Sequence, residues 1–337
     1  MKKSVKIILS VLLAVIVIAG VAGYALQKQS YHPGKPYSNA EEEFPDIPFE
    51  EALEQLNVME NRWQDASPQI ILYNLIKMHF DAPLPEGKTE KKAIVIGYDG
   101  CRVDNLRLLE NSGRSAINML LETGGQVLFS YAGGAMYPGK NTQATSTAPG
   151  WCSMLTGVLA DEHGVAENGI PKPLEPKTLL LSLVEDGAVN KSAFYVSWNG
   201  HFSKRNSTYI NEKKYAEDNG VNAYFCRAKS DKGTIENILS DLNEQDCSGF
   251  IFSTLEFTDH AGHSSGFSLQ NSDYIEAFYD AEASGADIIE AILNRSSYET
   301  EDWLILITTD HGGIGKNHGG SSFEERMTFI VSNKEIY

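Results

Sequence analysis

The sequence has no Cys-x-x-Cys pair and no lysine/arginine cluster with interleaved aromatics. Each absence removes a class of function. The four cysteines, Cys101, Cys152, Cys226 and Cys247, lack the spacing of a thiolate zinc site. Cys226 and Cys247 can be joined by a disulfide in an oxidising exterior or stay as buried thiols, and both readings remain open. Its one Gly-x-Ser-x-Gly match, Gly262 to Gly266, overlaps the Asp259-to-His263 cluster, and with its histidines paired with aspartates the chain does not read as a serine hydrolase. Gly134 to Asn141 approaches a phosphate-binding loop, but Asn141 stands where Ser or Thr should hold magnesium, and no helical pattern follows at once. No internal repeat of fixed period is present, which sets aside repeat architectures.

Charge is missing from one stretch and lopsided elsewhere. Ile7 to Leu26 is a run of twenty uncharged residues, enough at about 1.5 Å per residue to span a hydrocarbon core of about 30 Å. Lys2, Lys3 and Lys6 precede it, so the pattern predicts a single-pass cell-membrane anchor with everything from Gln27 onward outside. The alternative is a signal peptide cleaved near Gly23-Tyr24-Ala25, followed by secretion. No cysteine near its end supports a lipid anchor. Residues 1–30 hold four of the 28 basic residues and no acidic one, so 24 basic groups face 45 acidic ones beyond them, a net of −21. That exterior repels nucleic acid, which leaves a small substrate and, through the N-terminal segment, the membrane as expected partners.

With 337 residues and 42% hydrophobic content the chain can bury a large core. Three regions are expected: 1–26 as cytosolic tip and anchor or signal, 27–91 as linker and juxtamembrane helical region, and 92–337 as the catalytic domain. In the second region Ser30 to Asn39 reads as a linker, Glu41 to Met59 as an acidic helix and Ile70 to Phe80 as another helix. From Lys92 the pattern alternates. Strands are predicted at Ala93–Tyr98, Gln126–Ser130, Ala193–Val196, Gly249–Leu255, Trp303–Thr308 and Thr328–Val331. Helices are predicted at Val103–Leu121, Trp151–Thr156, Thr178–Val184, Ile235–Leu242 and Ser272–Leu293. This order implies an α/β fold with a mostly parallel central sheet sandwiched by helices.

Ligands in such a sheet gather at the carboxyl ends of the strands, and three polar clusters fall there. Asp99 follows one strand, Asp259-His260-Ala261-Gly262-His263 a second, and Asp310-His311-Gly312-Gly313 a third, with His318 seven residues further on. Aspartate and histidine suit borderline divalent cations such as zinc. Three of each exceed one tetrahedral shell, so two metal ions sharing the ligands is the economical account. His260 falls outside the useful spacing and is read as a neighbour of the ligand set or a surface residue. Between the clusters, Thr145 to Gly157 joins hydroxyl residues and Pro149 to an apolar helical segment. A hydroxyl there sits in the positive end of the helix dipole, which makes Thr147 the candidate nucleophile over Cys152 and Ser153, both deeper in the helix.

Together these motifs resemble the alkaline phosphatase superfamily, most closely its type I phosphodiesterase and nucleotide pyrophosphatase branch, over Lys92 to Val331. The matching residues are Asp99-Gly100-Cys101-Arg102, Thr147-Ala148-Pro149 through Thr156-Gly157, His163-Gly164, Asn168, Asp259 with His263, and Asp310-His311-Gly312. The resemblance implies an alkaline phosphatase-like fold. One metal would be held by Asp259, His263 and His318, the other by Asp99, Asp310 and His311 with the Thr147 oxygen facing it. Thr147 would attack phosphorus to give a phosphothreonine, with Asn168 and the backbone N–H of residue 148 on a phosphoryl oxygen. The implied activity is metal-dependent hydrolysis of phosphoric esters, diesters or pyrophosphates first. Phosphomonoesterase, phosphonate hydrolase and phospho-alcohol transferase activities are alternatives within the superfamily, and the sulfatase Cys-x-Pro-Ser-Arg context is lacking. A metal-stabilised membrane-anchored binding protein is the non-catalytic alternative. Gly150 stands where nucleotide pyrophosphatases usually carry Asn and is followed by Trp151, so a different leaving-group pocket is expected there.

Overall fold

The computed structural model describes residues 66–134, 142–169, 174–203 and 207–335. The expected anchor, linker and acidic helix lie outside the described residues, and among those described no helix is long and apolar enough to cross a membrane.

The strands are β1 (Ser67–Pro68), β2 (Glu90–Tyr98), β3 (Gln126–Tyr131), β4 (Ser192–Val196), β5 (Ala223–Arg227), β6 (Phe250–Leu255), β7 (Glu301–Thr308) and β8 (Met327–Ser332). They form one eight-stranded sheet in the order β1-β3-β8-β7-β2-β6-β4-β5. All pairings are parallel except those of β8, which runs antiparallel to β3 and β7. The chain leaves β7 at its carboxyl end and stays there through Ser322, so the next strand must start from that end and run back.

β2 lies between β7 and β6, and its apolar run is buried on both sides. Period-two alternation divides that run between two cores. Ile94, Ile96 and Tyr98 pack with Phe278, Ile288 and Ile292 on one face, and Ala93 and Val95 with Leu72, Trp151, Leu155 and Leu181 on the other. The helices are α1 (Ile71–Asp81), α2 (Ala116–Glu122), α3 (Thr147–Thr156), α4 (Ala160–His163), α5 (Leu179–Glu185), α6 (Ile210–Asn219), α7 (Asp231–Asn243), α8 (Phe257–Ser265), α9 (Ser272–Leu293) and α10 (Phe323–Arg326).

Several expectations change. The helix expected over Val103–Leu121 is split into a 3-10 segment, Val103–Asn111, and α2. The break falls at Ser112-Gly113-Arg114-Ser115, where the Ser115 hydroxyl accepts from the Asn118 N–H and starts a new helix. Helix α3 begins four residues earlier than expected, because Pro149 sits in its first turn, where the missing N–H is no loss. Helix α6 and strand β5 were not expected at all. Only Glu212 and Ala216 of α6 are buried, and β5 is a sheet edge, so neither carries a periodic apolar pattern.

Candidate metal centre and nucleophile

Six side chains converge at the carboxyl ends of β2, β6 and β7. Asp99 follows β2 directly. Asp259 and His263 lie four residues apart on α8, one turn of one helix face, immediately beyond β6. Asp310, His311 and His318 lie on the segment that returns from β7 towards β8. Two triads result, Asp259/His263/His318 and Asp99/Asp310/His311, each with its donor atoms within 4.8 Å of one another.

His263 Nε2 and His318 Nε2 each lie 3.5 Å from Asp259 Oδ1. His311 Nε2 lies 3.3 Å from Asp310 Oδ2 and 3.5 Å from Asp99 Oδ1. The other ring nitrogen of each histidine is fixed on a carbonyl oxygen: His263 Nδ1 on Lys316 at 2.9 Å, His311 Nδ1 on Gly312 at 2.7 Å and His318 Nδ1 on Thr145 at 3.1 Å. That places the proton on Nδ1 and turns Nε2 inward, where it can serve as a ligand. His263 Nε2 and His318 Nε2 then face each other at 3.1 Å, a meeting of lone pairs that a shared cation relieves.

The buried atoms without hydrogen-bond partners include Asp259 Oδ1, Asp310 Oδ2 and His311 Nε2. Orphaned donors and acceptors are costly in an interior, and these three belong to the two triads. The electrostatics agree. Burial, then the charge of Asp99, raises Asp310 well above the carboxylate range and Asp259 to about 6. Burial works against Asp99 too, but His311 beside it and the Trp151 N–H hold it below its ordinary value. Burial opposes a charge on His311, yet Asp310 and Asp99 push it up to about 10. Crowded carboxylates thus call for positive charge at the imidazole edge. The residues present therefore fit divalent cations, with nitrogen and oxygen donors of the zinc type.

Thr147 stands at the first position of α3, with its Oγ1 3.4 Å from Asp99 Oδ1. Its rivals point elsewhere. Ser153 is buried between Gln143 and His163 Nε2, 3.1 Å away, and burial raises the Cys152 thiol well above its usual range. Asn168 is brought to the same helix start, where its Oδ1 accepts from the Ala148 N–H at 2.8 Å. His163 does not join the centre; it holds Ser153 of α3 through Nε2 and the Val165 N–H through Nδ1. His260 is exposed. All four cysteines are free thiols.

Gly150 and Trp151 pack against the two aspartates of the Asp99/Asp310/His311 triad. Both are buried within the protein. A Cβ at Gly150 would lie 2.8 Å from Asp310 Cβ and 3.0 Å from Asp310 O, so glycine here lets α3 approach the metal-site segment. Trp151 turns inward, and its Nε1 donates to Asp99 Oδ2 at 2.9 Å.

Two residues of the site were not expected. Glu256, fully buried, brings a carboxylate within 4.8 Å of donor atoms of Asp99 and Asp259. It accepts from Thr254 Oγ1 at 3.2 Å, and Thr254 Oγ1 also meets His201 Nε2 at 3.3 Å. Its signal was a lone acid closing the apolar run Phe250–Leu255. Tyr274, on α9, donates to Gly100 O at 2.7 Å and accepts from the Arg102 N–H at 3.0 Å, fixing the loop that carries Asp99. Nothing local marked it apart from a core tyrosine.

The pattern of type I phosphodiesterase / nucleotide pyrophosphatase matches residues 93–318, about two thirds of the chain. No curated protein sequence matches. Among solved structures, a murine ectonucleotide pyrophosphatase / phosphodiesterase 5 in complex with AMP is similar at 16% identity and a TM-score of 0.46 over 66% of this chain. The chain spans 57% of that protein's length. The phosphonate monoester hydrolase of Agrobacterium radiobacter aligns at 13% identity and a TM-score of 0.46, covering 72% of this chain and 68% of its own. The C-terminal periplasmic domain of a phosphoethanolamine transferase from Campylobacter jejuni aligns at 14% identity and a TM-score of 0.48, covering 73% and 81%. On the match across both triads and the helix that carries Thr147, the chain belongs to the type I phosphodiesterase / nucleotide pyrophosphatase family.

Proposed function

We propose that the chain is a metal-dependent phosphoric ester hydrolase, acting on diesters or pyrophosphates ahead of monoesters, with Thr147 as nucleophile. The observation that carries this reading is the Thr147 hydroxyl, at a helix start and 3.4 Å from Asp99, beside two triads that include the buried, unpartnered Asp259 Oδ1, Asp310 Oδ2 and His311 Nε2. Asp259, His263 and His318 would hold one divalent ion and Asp99, Asp310 and His311 the other, with zinc favoured by the donor set. Ions bound there supply positive charge that favours the alkoxide and offsets charge on the phosphoryl oxygens.

The chain's own groups do the rest. The Thr147 hydroxyl gives up its proton to solvent water, Oγ1 attacks phosphorus, and its O–P bond forms as the bond to the leaving oxygen breaks, that oxygen taking a proton from water. A phosphoryl oxygen displaces the Asn168 Oδ1 contact and takes the Ala148 N–H, with the Asn168 amide turned to donate beside it. Water then opens the phosphothreonine and frees Thr147. The uncharged run Ile7–Leu26 supports a second reading, transfer of a phospho-alcohol group to an envelope acceptor from a membrane-anchored, outward-facing domain.

Purified protein is expected to cleave bis(p-nitrophenyl) phosphate, to lose that activity with chelator, and to lose about 1000-fold or more in Thr147→Ala. A fully active Thr147→Ala would overturn the nucleophile assignment. Adding an alcohol acceptor decides between the readings, since release to water alone excludes transfer.

A further inference from the structure

Among the described residues Trp151 is the largest of the fully buried side chains, and it lies on the helix of Thr147, one turn beyond it. A tryptophan there is not needed to fill space in the ordinary way, because the sheet has given up a side chain to receive it. Gly97 of central strand β2 lies beneath the ring: a Cβ there would come 2.5 Å from Trp151 Cη2 and 2.8 Å from Ser253 O. Phe252 of β6 closes on it edge-on, with ring centroids 5.6 Å apart. Packed against Gly97 and Phe252, the indole directs its only polar atom, Nε1, to Asp99 Oδ2, to which it donates at 2.9 Å.

That bond divides the work of the Asp99 carboxylate. Oδ2 is taken by the indole. Oδ1 is left facing Thr147 Oγ1 at 3.4 Å and His311 Nε2 at 3.5 Å. Unrestrained, a carboxylate can rotate about its last bond and offer a cation either or both oxygens; the indole N–H removes that freedom and draws charge from the oxygen it binds. We propose that Trp151 is a positioning residue, which fixes Asp99 to present a single oxygen to the ion of the Asp99/Asp310/His311 triad and aligns that oxygen with the nucleophile. The inference rests on the two-ion reading above and deepens it.

Partners of this kind are typically worth 10–100-fold in metal affinity. In Trp151→Phe, which keeps an aromatic ring and loses the N–H, one of two zinc ions is expected to bind about 10–100-fold more weakly. The ion on Asp259, His263 and His318 is expected to keep its affinity. Competition titration of metal-free protein against a zinc chelator resolves the two steps. A general loosening of the fold would weaken both, so a loss confined to one step separates positioning from mere packing. Activity of the variant is expected to recover at saturating zinc.

Because Trp151→Phe can fail to fold, a second measurement uses the unaltered sequence labelled with 5-fluorotryptophan. The chain has four tryptophans, and replacing Trp63, Trp198 and Trp303 by Phe in turn assigns the Trp151 fluorine resonance by difference. That resonance is expected to shift as zinc fills the site. A resonance that stays put through two equivalents of zinc, or a Trp151→Phe protein with both affinities unchanged, overturns the inference. Protein that binds two ions and depends on Thr147 yet ignores Trp151 sinks this inference alone, whereas protein that binds no ion sinks the two-ion reading with it.

Discussion

Glu212 lies on α6, where it accepts from both the N–H and the hydroxyl of Thr178 at the start of α5. Burial pushes it up to about 7, against the pull of those two donors and of Lys177. A carboxyl raised in the folded state and near 4.5 in the unfolded chain contributes stability that is present below pH 4.5 and lost as pH rises through about 7. The loss is at most about 3 kcal/mol. Glu212→Gln does not titrate, so its melting temperature relative to the parent is expected to rise between pH 5 and pH 8. A constant difference across that range in differential scanning fluorimetry argues against a buried, titrating Glu212. Among site residues, the six members of the two triads were legible because aspartates and histidines clustered just beyond apolar strands. Glu256 was one acid among many, and the bond from Trp151 to Asp99 joins residues 52 positions apart with no pattern between them.

At the scale of elements, strand β2 and helix α3 approach each other through Gly97. Gly97→Ala places a methyl against the Trp151 ring and the Ser253 carbonyl, an overpacking expected to cost about 1–3 kcal/mol. A lowered denaturation midpoint in urea at unchanged slope is the expected result, and an unchanged midpoint would mean the indole is not seated on Gly97. Buried strands and the long helix α9 were readable because their apolar residues run continuously or at helical spacing. The start of α3 was not. The apolar pattern begins only at Trp151, whereas in the fold Pro149 occupies the first turn and Gly150 makes room for Asp310. Likewise α6 and β5 have their stability supplied by packing and edge pairing, which leave no periodic trace.

For the whole molecule, the charge asymmetry and the uncharged run Ile7–Leu26 bear on where the protein works. Our reading of an anchor with an outward catalytic domain leads to a direct test. Full-length protein expressed with its first 30 residues is expected in the membrane fraction after alkaline carbonate washing, and protease added outside intact cells is expected to release phosphodiesterase activity. A shortened chain in the medium, lacking residues up to about Ala25, would establish the cleaved signal instead.

Sequence alone determined the alternation of strands and helices, the mostly parallel sheet, and the identity of the polar groups at strand ends, because apolar periodicity and residue chemistry are local properties. It did not determine the antiparallel course of β8, which follows from where the chain leaves the site. Nor did it reveal that Gly150 and Trp151 serve Asp310 and Asp99. Those contacts join elements distant in the chain, and only the packing of α3 between the central strands and the returning metal-site segment brings them within reach.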